Sequence, residues 1–160
     1  MKTNLLSCVL ALVALFSFVS CNEDGAVTPG SAKDPAGTVI ANIRNSSNQY
    51  VTLGEINGDY AQLYLDSANN FSGSGGYTGI VMVGKGSSIG SIKTSSVPTT
   101  GWAAKTAALE GALYILRFER KNMTYYFGLQ VIDTLTSSSD NGIIGYTVKY
   151  CQFSLEEGWL

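Results

Sequence analysis

Three consecutive segments in the second half of the chain alternate apolar and polar residues. No other feature narrows the fold as much. Residues 112–120 set Tyr114, Leu116 and Phe118 on one face and Arg117 and Glu119 on the other. Residues 124–133 run back with Tyr125, Phe127, Leu129 and Val131 on one face, and residues 143–153 repeat the pattern with Ile144, Tyr146, Val148 and Tyr150. A period of two is that of a half-buried strand, whose successive side chains point to opposite faces. Arg120-Lys121-Asn122-Met123 is short enough for a hairpin, and residues 136–142 (TSSSDNG) form a polar turn. An antiparallel meander is predicted, one face packed and the other in water. Asp133 continues the apolar face of its strand with a charge, which predicts a place at a sheet end.

The preceding residues read the same way. Residues 38–44 alternate, with Val39, Ala41 and Ile43 on one face; residues 50–55 and 60–66 are two more strands, the last with Ala61, Leu63 and Leu65 inward. Asn57-Gly58 between them is a tight-turn signal, because both residues tolerate positive φ. Residues 66–77 (DSANNFSGSGGY) read as a loop. Residues 80–83 are apolar on both faces, which predicts a central strand or one covered on both sides. Residues 84–91 (GKGSSIGS) are glycine-rich but have neither the spacing nor the following helix of a phosphate loop, so a turn is expected. Residues 103–109 suit either one or two helical turns, since Ala and Leu favour helix, or an irregular approach to the next strand. About seven strands make the chain all-β: an antiparallel β-sandwich or an open barrel-like sheet pair.

The first residues set the address. Lys2 precedes a charge-free run from Leu5 to Val19, which ends at Ser20-Cys21 and turns polar at Asn22-Glu23-Asp24. A basic start, a short apolar run and a small-residue exit form a secretory signal, and the run is shorter than the roughly 20 residues a spanning helix needs. An uncleaved membrane anchor is the alternative. Phe18-Val19-Ser20-Cys21 resembles the lipobox of bacterial lipoproteins, in the relaxed form of Bacteroidetes-type members; it departs from Leu-Ala-Gly-Cys before the Cys. The resemblance implies cleavage before Cys21 and lipidation of its thiol and new amine, an anchor whose strength grows by about 0.8 kcal/mol per buried CH₂. Glu23 and Asp24 resemble the signal that sends such proteins to the outer face of the outer membrane; an inward-facing position is the alternative. Ordinary cleavage near Cys21 would instead leave a thiol able to bridge to Cys151. The chain divides into a signal (1–20), a lipidated Cys with a flexible tether (21–36) and a single β domain (37–160), beginning near Asp34-Pro35.

Composition then excludes chemistries. The chain has no histidine, so Ser-His-Asp and Cys-His machinery and His-bearing zinc sites are ruled out. Without residues 1–20 it carries nine basic and twelve acidic residues, a formal −3, and no basic run. Nucleic-acid binding needs a cationic footprint and is not expected. No cofactor or metal is expected.

Three candidate chemistries remain. Two facing carboxylates could hydrolyse a glycoside, and Glu110 with Asp133 is the pair that a hairpin would bring nearest. Calcium would want the oxygens of residues 66–70 or Asp140-Asn141-Gly142, though turns prefer the same residues. Trp102, in a turn, and Trp159 are the residues expected to be exposed and to contact a glycan. Cys151 falls on the face opposite Tyr146 and Val148, as a packed residue.

Asp34-Pro35-x-Gly37-Thr38, Gly90-x-Ile92, Pro98-x-x-Gly101-Trp102, Glu110-Gly111 and the Tyr125-Tyr126 strand together resemble an uncharacterised family of Bacteroidetes-type lipoproteins, over most of residues 34–152. The resemblance implies the β fold and the address and transfers no functional residue. The expectation is a non-catalytic lipoprotein that binds a glycan or surface protein. The alternatives are a structural envelope or appendage lipoprotein without a small ligand and, behind it, a carboxylate-dependent hydrolase.

Overall fold

Alternation builds two layers. The computed structural model describes residues 32–46 and 49–160. Its strands are β1 (Val39–Arg44), β2 (Tyr50–Ile56), β3 (Asp59–Leu65), β4 (Asn70–Ser74), β5 (Tyr77–Lys85), β6 (Thr106–Ala107), β7 (Ala112–Arg120), β8 (Met123–Thr136), β9 (Ile143–Ser154) and β10 (Gly158–Trp159). Two 3-10 turns, Ile89–Ser91 and Thr94–Ser96, lie between β5 and β6. One antiparallel sheet has six strands in the order β1-β9-β8-β7-β5, with β10 added beside β9; the other has four, β2-β3-β4-β6. Two separate sheets enclosing one core make a β-sandwich, not a barrel.

The core between the sheets takes the faces the alternation assigns. Leu63 and Leu65 of β3 and Phe71 of β4 meet Tyr114, Leu116 and Phe118 of β7, Phe127 and Leu129 of β8, and Val148 of β9. The rings interlock edge to face: Phe71 on Tyr114 at 5.6 Å and Phe118 on Phe127 at 5.5 Å between centroids. The meander is present, and its first turn is tight. Arg120 pairs with Met123, while Lys121 and Asn122 both take positive φ, 46° and 63°. Asn57-Gly58 makes the corresponding turn between β2 and β3, with φ of 50° and 80°.

Two expectations are corrected, and two open alternatives are decided. Residues 70–74 form β4 rather than loop, because β3 supplies a partner for each residue from Phe71 to Ser74 and Phe71 drops into the core. The 80–83 segment belongs to an edge strand, β5, not a central one. Ile80 and Val81 are nonetheless covered on opposite faces, while Met82 and Val83 are exposed. No helix forms at 103–109. Its backbone groups serve the sheets instead: Ala103 exchanges hydrogen bonds of 2.9 and 3.0 Å with Ile80, and β6 pairs with β4. The Tyr114 hydroxyl donates to Ala107 O at 2.7 Å and accepts from Leu109 N at 3.0 Å.

The other correction concerns the outer face of the six-stranded sheet, expected to be wet. A second apolar cluster covers part of it. Leu113, Ile115, Cys151 and Phe153 rise from the sheet, and Ile89 and Ile92 descend from the first 3-10 turn and its end. β7 is therefore buried on both faces from Ala112 to Leu116.

Candidate functional site

The expected signal (1–20), Cys21, Glu23 and Asp24 lie outside the described residues. The domain is entered at Asp34. Its carboxylate accepts from Ser88 Oγ at 2.7 Å, Ile89 N at 3.2 Å and Lys149 Nζ at 2.7 Å. Burial opposes the charge, but Lys149, Ser88 and the Ile89 amide outweigh it and hold the carboxyl below its ordinary range. Gly90 lets the Lys33 carbonyl pass where a Cβ would collide with it. Thus the Asp34 and Gly90 motifs meet, and their shared task is to fasten the incoming chain to the outer face.

The two tryptophans are brought onto that same face, at the two ends of one cross-strand row. Arg117, Tyr126, Phe153 and Trp159 are register partners across β7, β8, β9 and β10. Tyr126 stacks on Phe153 at 5.5 Å and 18°, and Phe153 meets the Trp159 edge at 5.1 Å. Trp102 lies 6.3 Å from Tyr126, and the Arg117 guanidinium stands 5.8 Å from the Trp102 centroid. Both tryptophans are half-buried rather than free. Trp102 Nε1 donates to Pro98 O at 3.1 Å, and the Trp159 ring fills the space over Gly128 that a Cβ would occupy. Of the rings, Trp102, Tyr126 and Trp159 keep partial exposure, whereas Phe153 is buried. Sequence reasoning found the tryptophans and Tyr126 as flat rings but missed Arg117 and the row that joins them. Their signal was register, which depends on pairing.

Glu110 and Asp133 do not face each other. A bulge between Val131 and Asp133 shifts the register, so Asp133 pairs with Thr147 and leaves the apolar face it was expected to continue. Glu110 Oε2 accepts from Thr134 Oγ1 at 2.7 Å. Thr134 and Asp133 are successive strand residues pointing to opposite faces, so this bond carries Glu110 away from Asp133. The two oxygen-rich loops are turns. Asp66 accepts from Asn70 N at 2.9 Å, Ala68 N at 3.0 Å and Lys105 Nζ at 3.1 Å. The Asn70 amide and Lys105 lower its carboxyl pKa. Asp140 accepts from Gly142 N at 3.0 Å. Among the described residues, no three His, Cys, Asp or Glu side chains come together as a metal site. Cys151 is buried, with its Sγ 3.5 Å from the carbonyl oxygens of Gln152 and Leu160, and burial pushes its thiol pKa up.

A cleft of about 510 Å³ lies on the other sheet, lined by Asn45, Gln49, Tyr64, Leu65, Asp66 and Ser72. Its acid is already paired with Lys105. Among the described residues, no helix is long and apolar enough to cross a membrane. No protein-family model, curated protein or solved structure matches the chain.

Proposed function

We propose that this protein is a lipid-anchored lipoprotein of the outer membrane, displayed at the cell surface, whose β-sandwich acts as a non-catalytic binding or accessory module. The observation that carries the reading is the short apolar run closed by Ser20-Cys21 and followed at once by Glu23 and Asp24. The ligand is a glycan or a surface protein. In support of a glycan, Trp102, Tyr126 and Trp159 keep partial exposure around one row, and flat rings of this kind suit the apolar faces of sugars. The separation of Glu110 from Asp133 counts against the hydrolase.

A second reading, a structural component of the envelope or of a surface appendage, is favoured by β1. It is an edge strand of the six-stranded sheet, and its Val39 and Ile40 are 44% and 61% exposed. Such an edge suits pairing with a strand from another protein.

One experiment separates these readings. Cells making the full-length protein or Cys21→Ser are fed a clickable fatty acid and then exposed to a panel of fluorescent glycans. The proposal expects lipid label on the native chain only, and retention of one glycan class by cells that carry it. An unlabelled native chain rejects the anchor. Lipid label without any glycan retention rejects the glycan and leaves the edge-strand partner, sought next by cross-linking through β1.

A further inference from the structure

The outer face of the six-stranded sheet also holds a cavity of about 310 Å³, between the end of β5 and the 3-10 turns. Its floor is apolar and built from buried side chains, Leu113, Ile115 and Ile92. Its rim carries Lys85, Lys93 and Ser91. No acid lines it, and neither lysine makes an ion pair among the described residues. The lysines of the structure that do pair, Lys105 and Lys149, are matched with Asp66 and Asp34. Lys85 and Lys93 thus leave an uncompensated positive field over an apolar floor.

The wall beside Lys85 is held in place. Gly86 N donates to Gly111 O at 3.0 Å, and Gly86 O accepts from Gln130 Nε2 at 2.8 Å. Gln130 is itself only 2% exposed. A Cβ on Gly86 would press against Leu113 Cδ1 at 2.9 Å, so the strand end already touches the floor. A cavity formed in advance spares a ligand the cost of ordering it. Small-molecule sites have this composition: mostly apolar, a few placed polar groups, and a volume from about 300 Å³ upward.

We propose that this cavity binds a small organic anion, a carboxylate bearing an apolar body of about six carbons. The apolar body lies on Leu113, Ile115 and Ile92, and the carboxylate is held at the rim by the Lys85 and Lys93 ammonium groups. Apolar burial supplies most of the affinity. The exposed charge pairs each add little and set the choice of anion over cation. The cavity adjoins the aromatic row, whose rings pack in the same apolar cluster as its floor, but none of those rings lines it, and it does not depend on the lipid anchor.

The test is an isoleucine-methyl NMR titration of the full-length chain with hexanoate, repeated with hexan-1-ol and hexylamine. Saturable shifts of Ile92 and Ile115 are expected with hexanoate, with a Kd on the order of 1 mM. Weaker shifts are expected with the alcohol and none with the amine, while Ile80, in the core between the sheets, stays still. Lys85→Gln with Lys93→Gln should weaken hexanoate about tenfold, with Ile80 unmoved as the check that the fold is intact. No saturable shift at Ile92 and Ile115, equal response to all three probes, or an unchanged affinity in the double variant would each overturn the proposal.

Discussion

Gly75 and Gly76 make the corner at which the chain leaves the four-stranded sheet and enters the other. Both take positive φ, 75° and 86°. A Cβ at Gly75 would collide with the Tyr60 carbonyl of β3, and one at Gly76 with the Glu119 carbonyl of β7. Gly76 O also accepts from Glu119 N at 2.7 Å. The corner therefore touches backbone on both layers, and backbone cannot swing aside as a side chain can. Gly58 is the useful contrast: its φ is 80°, but nothing lies within 4 Å of an added Cβ. Gly58→Ala should cost only the left-handed backbone term, about 1–2 kcal/mol. Gly75→Ala adds the collision and should cost about 3 kcal/mol or more. Urea unfolding of both variants checks the order; equal losses would mean that the corner yields.

The incoming segment ahead of β1 behaves as an element of its own. It has no strand partner there; Asp34, gripped by Ser88, Ile89 and Lys149, fastens it to the first 3-10 turn and to β9. Because the folded carboxyl sits below its ordinary value, the unfolded chain binds the proton more readily. The stabilisation is therefore fully present above the ordinary carboxylate range. It is lost as pH falls through the depressed folded value. Asp34→Asn should lower stability by about 1–3 kcal/mol at neutral pH, since it leaves the partly buried Lys149 without its counter-charge. The same variant should flatten the decline in acid. Chemical unfolding at pH 7 and at pH 3 reads both effects, and an unaltered acid slope would show that the grip contributes nothing.

At the scale of the molecule, two apolar clusters share β7, β8 and β9, one on each side of the six-stranded sheet. Tyr77, Tyr114, Tyr146 and Tyr150 belong to or pack against the larger cluster, and burial raises the pKa of each phenol, that of Tyr77 to about 12. An unfolded tyrosine ionises near pH 10. Above that value the unfolded chain gives up protons that the folded one keeps, so stability falls from about pH 10 towards pH 12. Thermal unfolding between pH 9 and pH 11.5 should show the melting temperature dropping more steeply above pH 10 than below. Tyr77→Phe should soften the slope, although it forfeits hydrogen bonds from the hydroxyl to Ala103 O and Ala104 O.

What could be read from the chain alone was local. The inward faces of β3, β7, β8 and β9 follow from alternation, the turn at Asn57-Gly58 from residues that accept positive φ, and the hairpin at 120–123 from the shortness of the link. These depend on neighbours in sequence, so a period of two suffices. Where a partner decides, the sequence was silent or misleading. Phe71 is the one large apolar residue of β4, too little for a pattern, and β3 made its segment a strand. The Val131–Asp133 bulge turned Asp133 to the other face, a change of phase visible only in the pairing with β9. Trp102 and Trp159 were recognisable as candidates from their type; that they stand at the ends of one row through Tyr126 and Phe153 required the register of four strands. Lys85 and Lys93 carry no motif at all, and the packing of a 3-10 turn over Leu113 and Ile115 placed them around one cavity. Secondary structure here is a property of spacing along the chain, whereas register, second-face burial and cavities arise from contacts between residues far apart in it.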